Sequence, residues 1–230
     1  MREVGALGAR FWRAFGHQDV RGPEDGIPAL VIPGFLASDY TTTELRRAMA
    51  EAGFRVHPWR HGVNRGAHSG TLDDCKRAVD LCGCDGPMVV VGWSLGGLFA
   101  RELAREHPDC VRAVITLGSP VWGDRRKFTN VWKLYEWVAG HPVDDPPIAD
   151  SEDKPPVPTL AIWSSKDGIV GAPSARGTEQ TRDQAVEVAS THMGFAVSKH
   201  GTRAAVREIV HFLETHKADN GVRPGNSPSA

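Results

Sequence analysis

The stretch VVVGWSLGGLFAREL (residues 89–103) joins a run of valines to an apolar segment with spaced arginine and glutamate residues. The valine run is typical of a buried strand, and the segment after it is typical of a helix. Ser94 stands at the junction, between Gly92 and Gly96, in the arrangement G-x-S-x-G. Glycines at these two positions allow a strained turn and a close approach of strand and helix, which together expose the serine as a nucleophile. The alternative is a glycine-rich helix start that serves packing only.

The same alternation of apolar runs and amphipathic segments extends along the chain. It predicts strands over 29–33, 54–59, 87–92, 111–120, 158–165 and 185–190, and helices over 42–53, 71–83, 95–107 and 201–216. Strands that are continuous apolar runs, separated by helices, indicate a mostly parallel sheet with helices on both faces. The fold class is therefore α/β.

Residues 122–157 interrupt this alternation. They combine aromatic residues and one short helical stretch, TNVWKLYEWVAG (129–140), with a proline-rich segment, HPVDDPPIADSEDKPPVP. The proline-rich segment cannot form a helix or a central strand. A long insertion in a compact domain is typical of a lid or binding loop, so we expect a cap here. We divide the chain into an N-terminal helical segment (1–26), one domain (27–216) and a disordered tail (217–230).

Composition excludes several classes of function. The 230-residue chain has a formal net charge of −1, which argues against nucleic-acid binding. Its four cysteines are too few for a disulfide scaffold, and Cys82-Gly83-Cys84 lacks the spacing of a zinc site. We expect neither a metal nor a cofactor. No signal peptide or transmembrane segment is recognised, which indicates a cytoplasmic protein. The aromatic residues of FWRAF (11–15) could contact a membrane, but packing on the chain's own domain is the expected role.

A serine nucleophile needs a base, and the base needs a carboxylate that orients it. Asp167 follows strand 158–165 and His192 follows strand 185–190, where open α/β sheets place their sites. The other aspartates considered lie further from a strand end or within the insertion, and the other histidines precede Asp167 or belong to the last helix. A turn residue and a loop histidine are the simpler roles for these two.

Acyl transfer also requires N–H donors for a developing oxyanion. We assign them to the backbone amides of Leu95 and Phe35, with Leu36 as the open alternative to Phe35 and a simple Pro-Gly turn as the competing interpretation. Candidates for substrate binding are Leu36, Trp93, Trp132, Tyr135 and Trp137. For the aromatic residues of the insertion, the alternative is that they only anchor it to the core.

These residues make residues 27–215 similar to the α/β-hydrolases, and most similar to the bacterial lipase/esterase-like group. The resemblance rests on IPGFLASD (32–39), GWSLGGLFARELAREHP (92–108), VITLGSPVWGD (114–124), DGIV (167–170) and HMG (192–194). WRHGVNRGAHSGT (59–71) matches the group's asparagine-containing glycine motif only loosely. The resemblance implies a serine hydrolase that acts on a small-molecule ester or a lipid. The alternatives are an acyltransferase or thioesterase with the same triad, or a binding module without catalysis.

Overall fold

The computed structural model describes residues 26–216. The predicted N-terminal helical segment and C-terminal tail lie outside the described residues. Six strands are present: β1 (Pro28–Ile32), β2 (Arg55–Pro58), β3 (Met88–Trp93), β4 (Val111–Leu117), β5 (Thr159–Trp163) and β6 (Gln184–Glu187). All six predicted strands are therefore confirmed, with ends that differ by a few residues.

The strands form one sheet in the order β2-β1-β3-β4-β5-β6, and every neighbouring pair is parallel. The register sets Val31 opposite Val91, Val91 opposite Ile115, and Ile115 opposite Leu160. Because all strands point the same way, their carboxyl ends lie along one edge of the sheet. The loops that follow β1, β3, β5 and β6 therefore meet at that edge, where ligands bind in open α/β sheets.

Eight α-helices occur in the described chain. They are α1 (Thr43–Glu51), α2 (Thr71–Asp80), α3 (Leu95–Glu106), α4 (Arg125–Phe128), α5 (Trp132–Ala139), α6 (Ala172–Arg176), α7 (Gly194–Val197) and α8 (Lys199–Thr215). A 3₁₀-helix spans Pro108–Cys110. The four longer helices predicted from the sequence are α1, α2, α3 and α8, and the short helical stretch predicted within the insertion (129–140) contains α5. The short helices α4, α6 and α7 were not predicted.

The sheet separates two apolar cores. Side chains of a strand alternate between its faces, so Val89 and Val91 of β3 face one core and Val90 faces the other. Helices α1 and α8 cover the first face, and α2 and α3 cover the second. The predicted parallel sheet with helices on both faces is confirmed.

The insertion between β4 and β5 contains α4 and α5, and its proline-rich part has neither helix nor strand. A single antiparallel bridge joins Thr129 of the insertion to Val170, three residues after Asp167. The insertion is thus attached to the carboxyl edge of the sheet. Of the helices formed by residues 26–216, none has the length and apolar character to cross a membrane.

Candidate active site

Ser94 occupies a strained turn between β3 and α3. Its backbone has φ 55° and ψ −123°. A positive φ of this kind is energetically unfavourable for every residue except glycine. A Cβ on Gly92 would overlap the backbone of Gly96 and Gly97, and a Cβ on Gly96 would overlap the carbonyl of Ile32. Glycine is therefore required on both sides of Ser94, as the sequence motif indicates. The turn directs the serine away from the strand and the helix.

Asp167 and His192 form a hydrogen-bonded pair. Asp167 Oδ2 lies 2.8 Å from His192 Nδ1, and both side chains are buried. The other oxygen, Oδ1, accepts hydrogen bonds from the amides of Ile169 (2.8 Å) and Val170 (2.9 Å). The residues after Asp167 thus fix the orientation of its carboxylate. A carboxylate acceptor favours the proton on Nδ1, which leaves Nε2 as the basic nitrogen.

The three residues converge at the carboxyl edge of the sheet. The amide of Ser94 donates to the carbonyl of Leu117 at 2.9 Å. In the next residue, Gly118, a Cβ would lie 2.8 Å from Asp167 Oδ2 and 3.3 Å from His192 Nδ1. Within the described chain the Ser94 hydroxyl makes no hydrogen bond to His192. In enzymes without substrate this contact is often long, and it shortens when substrate binds.

Trp93, the residue before Ser94, supports the histidine loop. Its indole Nε1 donates to the carbonyl of His192 at 3.0 Å, and the two rings lie 5.5 Å apart. Only 3% of Trp93 is exposed. Trp93 therefore connects the nucleophile turn to His192.

The loop after β1 lies against the serine. A Cβ on Gly34 would lie 3.0 Å from Ser94 Cβ. The amide of Leu36 donates to the carbonyl of Asn64 at 2.7 Å and is therefore already used. The amides of Phe35 and Leu95, in contrast, have no acceptor among the described residues. Leu95 is the first residue of α3, where an N–H has no partner within the helix. The contact of Leu36 favours Phe35 over Leu36 as an oxyanion donor.

Asn64 holds this loop in place, and the sequence did not single it out. The side chain is 1% exposed, and its Nδ2 donates to the carbonyl of Pro33 at 2.8 Å. Its Oδ1 accepts from the amide of Gly66 at 3.1 Å. Its backbone accepts from Leu36 and donates to Ala37, at 2.7 and 2.8 Å. The loosely matched glycine motif thus supplies a buried asparagine that braces both sides of Phe35.

A pocket adjoins Ser94, and residues of the insertion form part of its lining. Phe35 and Leu95 line it, as do Trp132 and Tyr135 of α5. The Tyr135 hydroxyl also accepts from the amide of Ala67 at 3.2 Å. Tyr135 is therefore both a pocket residue and an anchor of the insertion, so the two interpretations of the aromatic residues apply together.

Three of the predicted substrate-binding residues, Leu36, Trp93 and Trp137, lie outside this pocket's lining in the part of the chain that the structure describes. Trp137 is 81% exposed on the outer face of α5, and Leu36 is exposed beside Asn64. Trp93 is buried beneath His192. These three residues are therefore not retained as candidates for contact with an acyl group.

Buried charges of α3 hold the insertion against the domain. The Arg101 guanidinium donates to the carbonyls of Thr181 (2.7 Å), Glu152 (2.7 Å) and Asp153 (2.8 Å). Burial lowers the pKa of Arg101 to about 10, and burial raises the pKa of Glu102. A charged group tolerates burial when its hydrogen bonds are satisfied. Arg101 is a second structural residue that the sequence did not single out, because a helical arginine ordinarily indicates an exposed face.

Comparison with known proteins agrees with this architecture. A family model described as the alpha/beta hydrolase fold matches residues 27–140, which include Phe35 and Ser94 but not Asp167 or His192. Among curated proteins, no sequence matches the chain significantly. Many solved structures do resemble it.

BpoC of Mycobacterium tuberculosis H37Rv, provisionally assigned as a non-heme bromoperoxidase, is 17% identical, with a TM-score of 0.60 over 86% of this chain and 95% of that one. The monoacylglycerol lipase of Paleococcus ferrophilus is 16% identical, with a TM-score of 0.56 over 84% of this chain and 96% of that one. The esterase domain of a Rhodothermus marinus protein is 19% identical, with a TM-score of 0.57 over 85% of this chain and 90% of that one. At these identities the likeness establishes the fold alone. The chain has the α/β-hydrolase fold.

Proposed function

We propose that the protein is a serine hydrolase that cleaves carboxylic esters of small molecules or lipids. One observation carries this proposal: the strained Ser94 turn lines an apolar pocket at the same edge of the sheet as the buried His192–Asp167 pair. A catalytic triad is recognised by such geometry and by the role that each group can take. A protein that only bound its ligand would require neither the strain at Ser94 nor the carboxylate behind His192.

In the proposed reaction, Ser94 Oγ attacks the acyl carbon and His192 Nε2 takes the hydroxyl proton. The bond between the acyl carbon and the alcohol oxygen then breaks, and the proton on Nε2 passes to the leaving alcohol. A water molecule attacks the acyl-enzyme, gives one proton to Nε2 and releases the acid, while Ser94 regains that proton. Asp167 keeps the imidazole in the tautomer that this sequence requires.

The negative charge that develops on the acyl oxygen requires donors already in position. The amides of Phe35 and Leu95 suit this role, since neither has an acceptor among residues 26–216. Leu95 directly follows Ser94, and Phe35 directly follows Gly34, which packs on Ser94. Each such donor contributes about 3–4 kcal/mol to transition-state stabilisation.

The proposal is tested with p-nitrophenyl butyrate, the Ser94→Ala variant and Ser69→Ala as the matched control on an exposed serine. We expect Ser94→Ala to lower kcat by more than about 10⁴-fold and Ser69→Ala to leave it unchanged. Addition of a competing alcohol, with both products measured, separates hydrolysis from acyl transfer. A thioester substrate of the same acyl group separates esterase from thioesterase activity. Turnover that persists in folded Ser94→Ala would reject the assignment.

A further inference from the structure

One wall of the pocket is a single face of α3. Leu95, Leu98, Phe99 and Glu102 all line the pocket. Their spacing of three, four and seven residues puts them on the same side of a helix. With a rise of about 1.5 Å per residue, Glu102 lies about 10 Å beyond Leu95 along the helix axis. Because Leu95 adjoins Ser94, the pocket has one end at the nucleophile and a distal end at Glu102.

The distal end carries charged side chains. The Glu102 side chain is 3% exposed, and it accepts a hydrogen bond from the amide of Ser151 at 3.2 Å and pairs with Arg105. Arg125 and Asp150 also line the pocket and form an ion pair, with Nη2 and Oδ1 2.8 Å apart. Asp150 precedes Ser151 in the chain, so the Arg125–Asp150 pair and Glu102 lie together. Three charged side chains therefore lie together at this end of the pocket lining, and each has a partner of opposite charge.

The wall between the two ends is apolar. Its lining here consists of apolar side chains from α3 and from the insertion: Leu98, Phe99, Trp132, Val143 and Ile148. An acyl chain that follows this wall is stabilised by each methylene that it removes from water. Beyond it, further methylenes would contact charged groups, which gain nothing from an apolar neighbour and lose stability if their partners are displaced.

We infer that the pocket selects esters of medium-chain acids, with the Arg125–Asp150 pair and Glu102 setting the length limit. Carbon–carbon bonds of about 1.5 Å at angles near 111° advance an extended chain by about 1.25 Å per carbon. The wall of about 10 Å then accommodates an acyl group of about eight carbons. This inference rests on the proposed function, because it requires the acyl carbon at Ser94.

The first test measures kcat/KM for p-nitrophenyl esters from acetyl to tetradecanoyl, below the concentration at which each forms micelles. We expect a maximum near octanoyl and a fall of at least about tenfold by tetradecanoyl. The rate of covalent inactivation by alkylphosphonate esters of the same lengths repeats the measurement without deacylation. A length dependence that is flat, or that still rises at tetradecanoyl, would overturn the inference.

The second test changes the limit itself. Arg125→Met combined with Asp150→Leu replaces the ion pair by apolar side chains and leaves neither charge of the pair alone. We expect the ratio of kcat/KM for dodecanoyl to that for octanoyl to rise about tenfold. Arg203→Met is the control and should leave the ratio unchanged. It removes an exposed charge on α8 that pairs with Glu51 of α1, on the face of the sheet opposite α3. An unchanged ratio in the folded double variant would overturn the inference.

A third variant keeps the test decisive if the double variant does not fold. Leu98 lies about 4.5 Å beyond Leu95 along α3, so Leu98→Trp should block the pocket halfway and move the maximum to acetyl or butanoyl esters. A maximum that stays at octanoyl would contradict the proposed length limit. If no ester is hydrolysed and Ser94 takes no phosphonate, the proposed function fails instead, and the two failures are thereby distinguished.

Discussion

Asn64→Ala tests how the oxyanion loop is held. The substitution removes the Nδ2 donor of the Pro33 carbonyl and the Oδ1 acceptor of the Gly66 amide, both in a buried position. A buried polar group left unpaired costs about 1–3 kcal/mol, so we expect a loss of about 2–6 kcal/mol in the free energy of unfolding. The backbone bonds of residue 64 to Leu36 and Ala37 remain in the variant. The loop is therefore loosened rather than released.

The catalytic effect follows from the same contacts. Complete loss of one oxyanion donor lowers kcat by about 10²–10³-fold. Because Asn64→Ala only loosens the loop that carries Phe35, we expect kcat to fall by about 10–100-fold, a part of that range. KM should change little, since binding of the ester in its ground state does not require the oxyanion donors.

The assay combines steady-state kinetics on an octanoyl ester with inhibition by an alkylboronic acid, which forms a tetrahedral adduct on the serine. The inhibition constant should rise by the same factor as kcat falls. Leu213→Ala, in the buried end of α8, is the control, because a truncated core leucine costs about 2–5 kcal/mol without a change at the site. If folded Asn64→Ala behaves as this control does, or if KM changes and kcat does not, Asn64 only stabilises the domain.

Two further outcomes are expected. Asp167→Asn should lower kcat by about 10³–10⁴-fold, because His192 would then be held in the wrong tautomer. The Tm should change little, because the amide oxygen can still accept hydrogen bonds from Ile169 and Val170. A lower Tm with an unchanged kcat would contradict the triad. Arg101→Met should lower the free energy of unfolding by about 3 kcal/mol or more, since three backbone carbonyls lose a charged donor. Residues 141–157 should then become sensitive to limited proteolysis. An unchanged midpoint of urea unfolding would refute this role of Arg101.

The sequence predicts the sheet and the candidate triad because both depend on local signals. A strand of β-branched residues followed by G-x-S-x-G specifies the Ser94 turn within eight residues. Asp167 and His192 are found by the same rule, as polar residues directly after strands whose carboxyl ends share one edge. The parallel arrangement of the sheet brings them together, although they are 25 residues apart in the chain.

The residues that the sequence missed depend on distant partners. Asn64 contacts Pro33, 31 residues earlier, and Arg101 contacts Thr181, 80 residues later. No local pattern distinguishes Asn64 from a turn asparagine, or Arg101 from an arginine on an exposed helix face. The short helices of four or five residues were missed for another reason, because one helical turn is too short to establish a hydrophobic period.

The most direct test of the central claim is covalent labelling of the intact protein with a fluorophosphonate. The proposed mechanism predicts one adduct per chain by intact mass, located in the tryptic peptide spanning residues 78–101, in which Ser94 is the only serine. Labelling should disappear in Ser94→Ala and slow markedly when His192 is replaced by alanine. An adduct in any other peptide, or a folded wild-type protein that takes no label, would contradict the assignment of Ser94 as the nucleophile.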